Sequence, residues 1–188
     1  MTDPKSQRYV SRGGDKLAAA LNHFDLDPTG LSCADLGSHV GGFVDCLLQH
    51  RAARVYSVDT SYGILAWKLR KDSRVVVFER TNAMHVALPE KVGLLTVDVG
   101  WTRQEKIIPH AATLISDQGI ILTLVKPHYE ARDDERVDGV VLPNAFDAIV
   151  ARTVAAIAGL GMRVEATCES PIPGHGGNRE VFALLRRS

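Results

Sequence analysis

No apolar run in this sequence approaches the roughly 18 to 20 residues that a membrane-spanning helix needs. The polar first eight residues also lack the apolar core of a secretory signal. Cysteine is scarce. Cys33, Cys46 and Cys168 stand far apart, which excludes a disulfide framework and a metal-finger spacing and suits reduced thiols. The chain has no excess of charge: 22 Lys and Arg balance 22 Asp and Glu. It therefore lacks the overall basic bias by which counterion-releasing proteins hold nucleic acid. Any basic surface must be local, built from Lys5, Arg8, Arg12 and Lys16 near the start or from Arg179, Arg186 and Arg187 near the end. The seven histidines are dispersed, and no pair stands at a helical ligand spacing beside a third ligand, so no metal is expected. There is no internal repeat and no low-complexity tract. These absences leave a soluble, cytoplasmic protein as the expected class.

The 188 residues are 45% hydrophobic and 23% charged, enough for a single core. We expect one domain over 1–188, with residues 1–8 as a flexible tail. Short β-like runs at 31–36, 54–58, 74–78, 93–97 and 119–125 alternate with helix-like segments at 42–50, 62–70, 103–116 and 144–160. The runs at 163–167 and 181–185 suit a final antiparallel hairpin. Strands separated by helices predict an α/β fold: a doubly wound, mostly parallel Rossmann-like sheet of about seven strands with helices on both faces. The stretches 126–143 and 169–178 have no periodicity.

In such a sheet, ligands bind beyond the carboxyl ends of the strands. The first strand runs into Asp35-Leu36-Gly37-Ser38-His39-Val40-Gly41-Gly42-Phe43. Glycines there allow a sharp turn and close backbone approach, but the spacing is not the G-x-G-x-x-G of dinucleotide sites, and Asp35 favours a cationic ligand over a phosphate. Asp59 closes the second strand, 24 residues on, where an acid accepts hydrogen bonds from a ribose diol. Together these point to a nucleoside-type cofactor carrying positive charge, as S-adenosylmethionine does.

Six blocks in order resemble the TlyA (hemolysin A-like) group of FtsJ-type ribosomal RNA 2′-O-methyltransferases. They are Tyr9-Val10-Ser11-Arg12-Gly13-Gly14-Asp15-Lys16-Leu17, the 35–48 block, Glu79-Arg80-Thr81-Asn82, Val97-Asp98-Val99, Leu124-Val125-Lys126-Pro127, and Gly177-Asn178-Arg179-Glu180-Val181-Phe182. The resemblance implies a catalytic tetrad at Lys16, Asp98, Lys126 and Glu180. It implies S-adenosylmethionine contacts from Asp35, Gly37, Ser38, Gly41, Gly42, Phe43, Asp59, Glu79, Asn82 and Asp98. The substrate it implies is RNA, ribosomal RNA or a ribosomal subunit. Arg12, His128, Tyr129 and Arg179 are the candidate RNA contacts, since aromatic rings stack on unpaired bases. The family usually begins with a small RNA-binding S4 domain, whereas this sequence is expected to start at the catalytic domain, with a separate RNA-binding partner as a further expectation. The rims differ too: Ser38-His39-Val40 replaces Ala-Ser-Thr, Gly100-Trp101 replaces Ser-Phe, and His128-Tyr129 replaces Gln-Phe.

A ribose hydroxyl is a poor nucleophile that needs a base or a strong orienting partner. Lys126 follows the most apolar strand, where desolvation should lower its pKa most, so it is the expected proton acceptor. Asp98 and Glu180 would oppose that shift. Each residue has a plainer reading: Lys16 as a solvated lysine on an amphipathic helix, Asp98 as a turn or cap residue, Glu180 as a surface acid. Competing functions are a small-molecule methyltransferase, told apart by an apolar closed acceptor pocket, a non-catalytic cofactor- or RNA-binding relative, and a membrane-acting protein, for which no strong amphipathic basic helix is present.

Overall fold

In the strand Val92–Val97 (β4) the apolar side chains point to alternate faces of a sheet that is covered on both sides. Leu94 joins one core layer and Leu95 the other, and the same holds for Ile121 and Leu122 of the neighbouring strand Ile115–Val125 (β5). A computed structural model of the chain describes residues 8–188. Most of the expected tail, Lys5 included, lies outside the described residues. Arg8 is held in place by its carbonyl, which accepts a hydrogen bond from Gln49 Nε2 at 3.0 Å.

The elements in chain order are α1 (Arg12–His23), β1 (Ser32–Leu36), α2 (Gly42–Gln49), β2 (Arg54–Val58), α3 (Trp67–Arg70), β3 (Val75–Phe78), β4 (Val92–Val97), α4 (Gln104–Leu114), β5 (Ile115–Val125), α5 (Pro127–Glu130), β6 (Arg136–Val137), β7 (Val140–Val141), α6 (Phe146–Ala158), β8 (Met162–Glu169) and β9 (Val181–Arg187). Seven strands form one sheet in the order β3-β2-β1-β4-β5-β9-β8. β9 runs antiparallel to both neighbours, and the other pairings are parallel. This is the doubly wound sheet with a terminal hairpin that the strand pattern predicts. The direction of winding reverses between β1 and β4, the switch point at which ligands bind.

On one face α1 and α2 bury Leu17, Leu21, Phe43 and Leu47 against Val55, Leu94, Leu122 and Phe182. On the other, Ile107 and Ile108 of α4 and Ile157 of α6 meet Leu95, Val97, Ile121 and Leu185. α1 begins where Ser11 Oγ accepts from the Gly13 amide at 3.3 Å, the capping role that serine favours. Its first turn lies against the start of α2 and against the buried Tyr9 ring, and a Cβ on Gly14 would overlap that ring.

Three expectations change. The helix expected at 62–70 is confined to Trp67–Arg70. The preceding loop spends its amides on other elements: Gly63 N donates to Glu79 Oε1 at 2.6 Å and Ala66 N to the Val40 carbonyl at 3.1 Å. Strand β5 starts at Ile115 rather than at Gly119, because the chain leaves α4 extended and pairs with Val92 before a register shift. The aperiodic stretch 126–143 contains the single turn α5 and the small β6–β7 hairpin, whose short lengths leave no period to read.

Gly14→Ala should cost roughly 1–3 kcal/mol by overpacking against Tyr9. A domain of this size should then show a melting temperature lower by about 2–4 °C per kcal/mol. Thermal unfolding by circular dichroism checks this.

Candidate active site

The register of the sheet decides which side chains meet. Val125 pairs with Val181 across the antiparallel β5–β9 ladder, so the residues just beyond each, Lys126 and Glu180, face the same end of the sheet. Val97 pairs with Thr123 in the neighbouring parallel ladder, which brings Asp98 beside Lys126. Pro127 keeps Lys126 extended, at φ −110° and ψ 94°. Lys16 comes from α1 above. The result is two ion pairs: Lys16 Nζ to Glu180 Oε2 at 2.6 Å, and Lys126 Nζ to Asp98 Oδ1 at 2.6 Å. The first pair is the more enclosed, with the side chains 13% and 4% exposed. All four line one cavity of about 470 Å³ together with Arg12, Asp35, His128 and Tyr129.

Burial is the largest influence on Lys126 and favours its neutral form. Asp98, and further off Glu180, outweigh it, so the net effect raises the pKa and keeps the ammonium. The expectation that desolvation would free a neutral amine is therefore reversed, because the strand that buries the lysine also delivers its carboxylate partner.

A second cavity, of about 520 Å³, adjoins the first and is lined by Asp59, Thr81, Asn82, Met84 and Val99, among others. The two cavities share Gly37, His39, Asp98 and Lys126. Gly37 has φ +92°, and a Cβ there would stand 2.5 Å from the Asp98 carbonyl. Only glycine lets the ends of β1 and β4 close this tightly. Asp59 accepts from the His39 amide at 2.7 Å and from both Ser61 N and Ser61 Oγ. Burial works against its charge, but these hydrogen bonds hold its pKa below the usual carboxylate range.

Asp35 sits beneath the first cavity. Thr96 Oγ1 donates to its Oδ1 at 2.7 Å, while Oδ2 is buried without a hydrogen-bond partner. Burial pushes the Asp35 pKa up to about 8. Thr96 partly offsets the rise, and the carboxylates of Asp98 and Asp59 add to it.

The expected site residues do not all converge. Gly37, Ser38, Gly42, Phe43, Asp59 and Asn82 line one or both cavities. Gly41 faces Leu65 and Leu69 instead. Glu79 lines neither cavity. It holds Arg70 and the Gly63 amide, and so anchors the loop before α3. Arg179 lies outside as well, on Glu169 at 2.6 Å and over the Phe146 ring at 3.7 Å. His128 and Tyr129 do line the first cavity. Tyr129 packs against Trp101, which is 88% exposed. Residues that motif reading passed over are Ser11, His39 and the Pro173–Gly174 turn. A Cβ on Gly174 would collide with the Glu180 carboxylate, and the Pro/Gly density of 169–178 was the available signal.

The raised Asp35 pKa has a sign that can be tested. Between about pH 4 and 8 the folded protein keeps a proton that the unfolded chain has lost. Stability from this group is therefore present at low pH and is lost as pH rises through the window. Asp35→Asn should lack that decline, which amounts to at most about 1.4 kcal/mol per pH unit. Urea unfolding of both proteins from pH 5 to 8 measures the difference.

Among known proteins, the chain matches the family model of FtsJ-like methyltransferases over residues 9–187. It is 39% identical over 187 residues to YqxC of Bacillus subtilis, provisionally named an rRNA methyltransferase, covering 95% of this chain and 66% of that protein. It is 38% identical over 186 residues to TlyA of Mycobacterium tuberculosis, a 16S/23S rRNA (cytidine-2′-O)-methyltransferase, covering 95% and 68%. A solved structure from Streptococcus thermophilus, provisionally named a hemolysin, superposes with a TM-score of 0.93 at 33% identity, covering 99% of this chain and 70% of that one. The chain thus spans about two thirds of the length of these curated relatives. With a family match of that extent and a cavity built from the same motif blocks, this chain belongs to the FtsJ-like methyltransferase family.

Proposed function

We propose that the protein transfers a methyl group from S-adenosylmethionine to a ribose 2′-hydroxyl of RNA, with ribosomal RNA as substrate in the cytoplasm. The observation that carries this reading is the pairing of Lys16–Glu180 with Asp98–Lys126 in one polar cavity, next to a second that holds Asp59. The residues fit the cofactor. Asp35 Oδ2 is buried without a hydrogen-bond partner, and the positive charge of the bound cofactor would draw this carboxyl toward its ionised form. Asp59 keeps its charge at the mouth of the second cavity, suited to a ribose diol, and Asn82 lies alongside. When bound, the cofactor supplies an activated methyl group on a sulfonium.

The rest is work for the chain. Lys126, charged and tethered by Asp98, donates to the acceptor oxygen and holds it in line, so its contribution is orientation and electrostatics. Lys16 and Glu180, paired at 2.6 Å, line the same cavity and hold each other in place. Arg12 is exposed at the rim of the cavity and meets backbone phosphate. Tyr129, with Trp101 outside it, offers stacking area beside the acceptor. A closed apolar pocket would have favoured a small metabolite. This cavity is polar, with Arg12 at its rim beyond two matched lysine–acid pairs, which suits an anionic substrate. The Bacillus and Mycobacterium relatives, both named for rRNA methylation, support the same substrate.

Tritiated S-adenosylmethionine incubated with the protein and ribosomal subunits should label RNA, and digestion should return a 2′-O-methylated nucleoside. Label in no RNA fraction rejects the proposal. Asp59→Ala should weaken cofactor binding by roughly 1–3 kcal/mol in calorimetry, the cost of donors left unpaired.

Lys126→Ala should lower single-turnover methylation by about 100- to 1,000-fold, the usual cost of losing one preorganised donor, with cofactor affinity unchanged. Lys126→Arg should keep measurable turnover, since the role needs a positive charge and not a free amine. An arginine variant as inactive as the alanine one would restore lysine as the base.

A further inference from the structure

We propose that the segment after Asp59 is a second RNA contact, in which Trp67 and Tyr62 stack on unpaired bases while Lys71 and Arg80 meet the phosphates beside them. This rests on the proposed function above and adds to it a surface outside both cavities. Aromatic rings are few in this chain, yet two of them stand in water close together, Tyr62 at 67% exposure and Trp67 at 65%. The segment does not lack a core to join. Leu65 and Leu69 are buried and pack toward Gly41, on the inner side of α3 and of the turn before it. Trp67 lies between them and faces outward, and Lys71, four positions on, shares that outer face. Lys71 Nζ is 4.8 Å from the centre of the Trp67 ring, and Arg80 Cζ is 4.3 Å from the centre of the Tyr62 ring. Both distances are within cation–π range. Each ring carries a cation on one face, and its exposure leaves the other face for a base.

Charge selects the occupant. The other cations of this segment are matched: Lys68 by Asp45 at 2.8 Å, Arg70 by Glu79, and Arg74 by Asp72 at 2.7 Å. Lys71 and Arg80 form no ion pair among the described residues. The surplus is therefore positive, and it sits on the two exposed rings. Exposed rings interleaved with unmatched cations suit single-stranded nucleic acid, which offers a flat base and a phosphate at every step. An acidic protein would meet the two cations but has no need of an open ring beside each.

The fold puts this surface at the same end of the sheet as the site. Arg80 N donates to the Ser61 carbonyl at 3.1 Å, which joins the chain leaving β2 to the chain leaving β3. Ala66, next to Trp67, donates its amide to the carbonyl of Val40, which lines the first, acceptor cavity. Asp45, which holds Lys68, also accepts from the Val10 amide at 2.9 Å, so the surface continues toward Arg8 and Arg12 at the start of α1. Trp101 follows β4 and Tyr129 follows β5, on the other side of the switch point. RNA that crosses the acceptor cavity from one group of rings reaches the other.

Trp67 can be observed directly, because Trp101→Phe leaves it as the single tryptophan. Titrating that variant with deproteinised ribosomal RNA should quench its fluorescence, and rising salt should reverse the quenching. In filter binding, Trp67→Ala should hold the same RNA about 5- to 100-fold more weakly, the usual cost of one lost base stack, and Trp67→Phe should recover part of the loss. Lys71→Gln and Arg80→Asn should each lower the slope of log affinity against log salt by about 1. Asparagine suits the left-handed backbone of Arg80, at φ +51°. Single-turnover methylation by Trp67→Ala should need more RNA to saturate yet reach the wild-type rate, with calorimetric cofactor affinity unchanged. Trp67 fluorescence indifferent to RNA overturns the proposal, as do Trp67→Ala and Lys71→Gln variants that bind RNA as the wild type does. If Trp67→Ala keeps full RNA affinity but loses a dimer that the wild type forms in sedimentation, the proposal is overturned and the surface belongs to a second copy of this chain. A wild type that neither binds nor methylates ribosomal RNA removes the underlying reading, and this surface with it. An active wild type matched in RNA affinity by all these variants removes this surface only.

Discussion

Four ionised side chains share one half-dehydrated cavity, and charge there must be matched by its opposite or be lost. Much of the architecture serves that match. The antiparallel register of β5 and β9 sets Lys126 beside Glu180, and the parallel register of β4 sets Asp98 beside Lys126. The height of α1, fixed by contact of Gly14 with Tyr9 and of its first turn with α2, lowers Lys16 onto Glu180. Either lysine without its acid would be a buried, unmatched cation. Core packing and site chemistry are therefore one constraint, since a shift of α1 that spared the apolar contacts would still part the first pair.

The same matching explains how a chain of zero net charge can face a polyanion. Near the C-terminus the arginines are spoken for: Arg179 binds Glu169, Arg186 binds Glu165, and Arg187 lies 3.6 Å from Asp117. That part of the expected basic surface is largely neutralised. Around the acceptor cavity the balance differs. Arg12 adds a positive charge to a site whose two lysines already meet two acids. A positive charge at that rim would draw a polyanion to the cavity without making the whole surface adhesive.

Strands β2 and β4 could be read from the sequence because each is an apolar run that stops at a ligand-side acid, Asp59 or Asp98, and β1 because it carries Asp35 next to its last residue and runs straight into Gly37. The ends of the elements were harder. Nothing in Tyr62-Gly63-Ile64-Leu65-Ala66 shows that Glu79 and Val40, both distant in sequence, take the amides of Gly63 and Ala66 and unwind the expected helix. Within the site, the motif blocks pointed to the tetrad, but spacing could not reveal pairing. Whether Lys126 is neutral or charged depends on which carboxylate lies within 3 Å, and only the register of three strands decides that. Glu79, Gly41 and Arg179 sit inside recognisable blocks yet face away, because a motif marks a neighbourhood and side-chain direction is set residue by residue. His39 was visible as a departure from the family loop, but its place at the junction of the cavities depends on a left-handed backbone that a sequence does not display.

β9 lies between β5 and β8, although it is made after both. A ribosome delivering this chain in order emits a sheet that has an open slot in its middle, with β8 waiting for a neighbour. Until the last strand enters, β5 exposes an unsatisfied edge, and Lys16 has no acid to meet because Glu180 arrives with that strand. Competence for methyl transfer and completion of the sheet therefore come in the same step. A nascent chain passing close to ribosomal RNA, its proposed substrate, carries no working catalyst until synthesis has passed Val181.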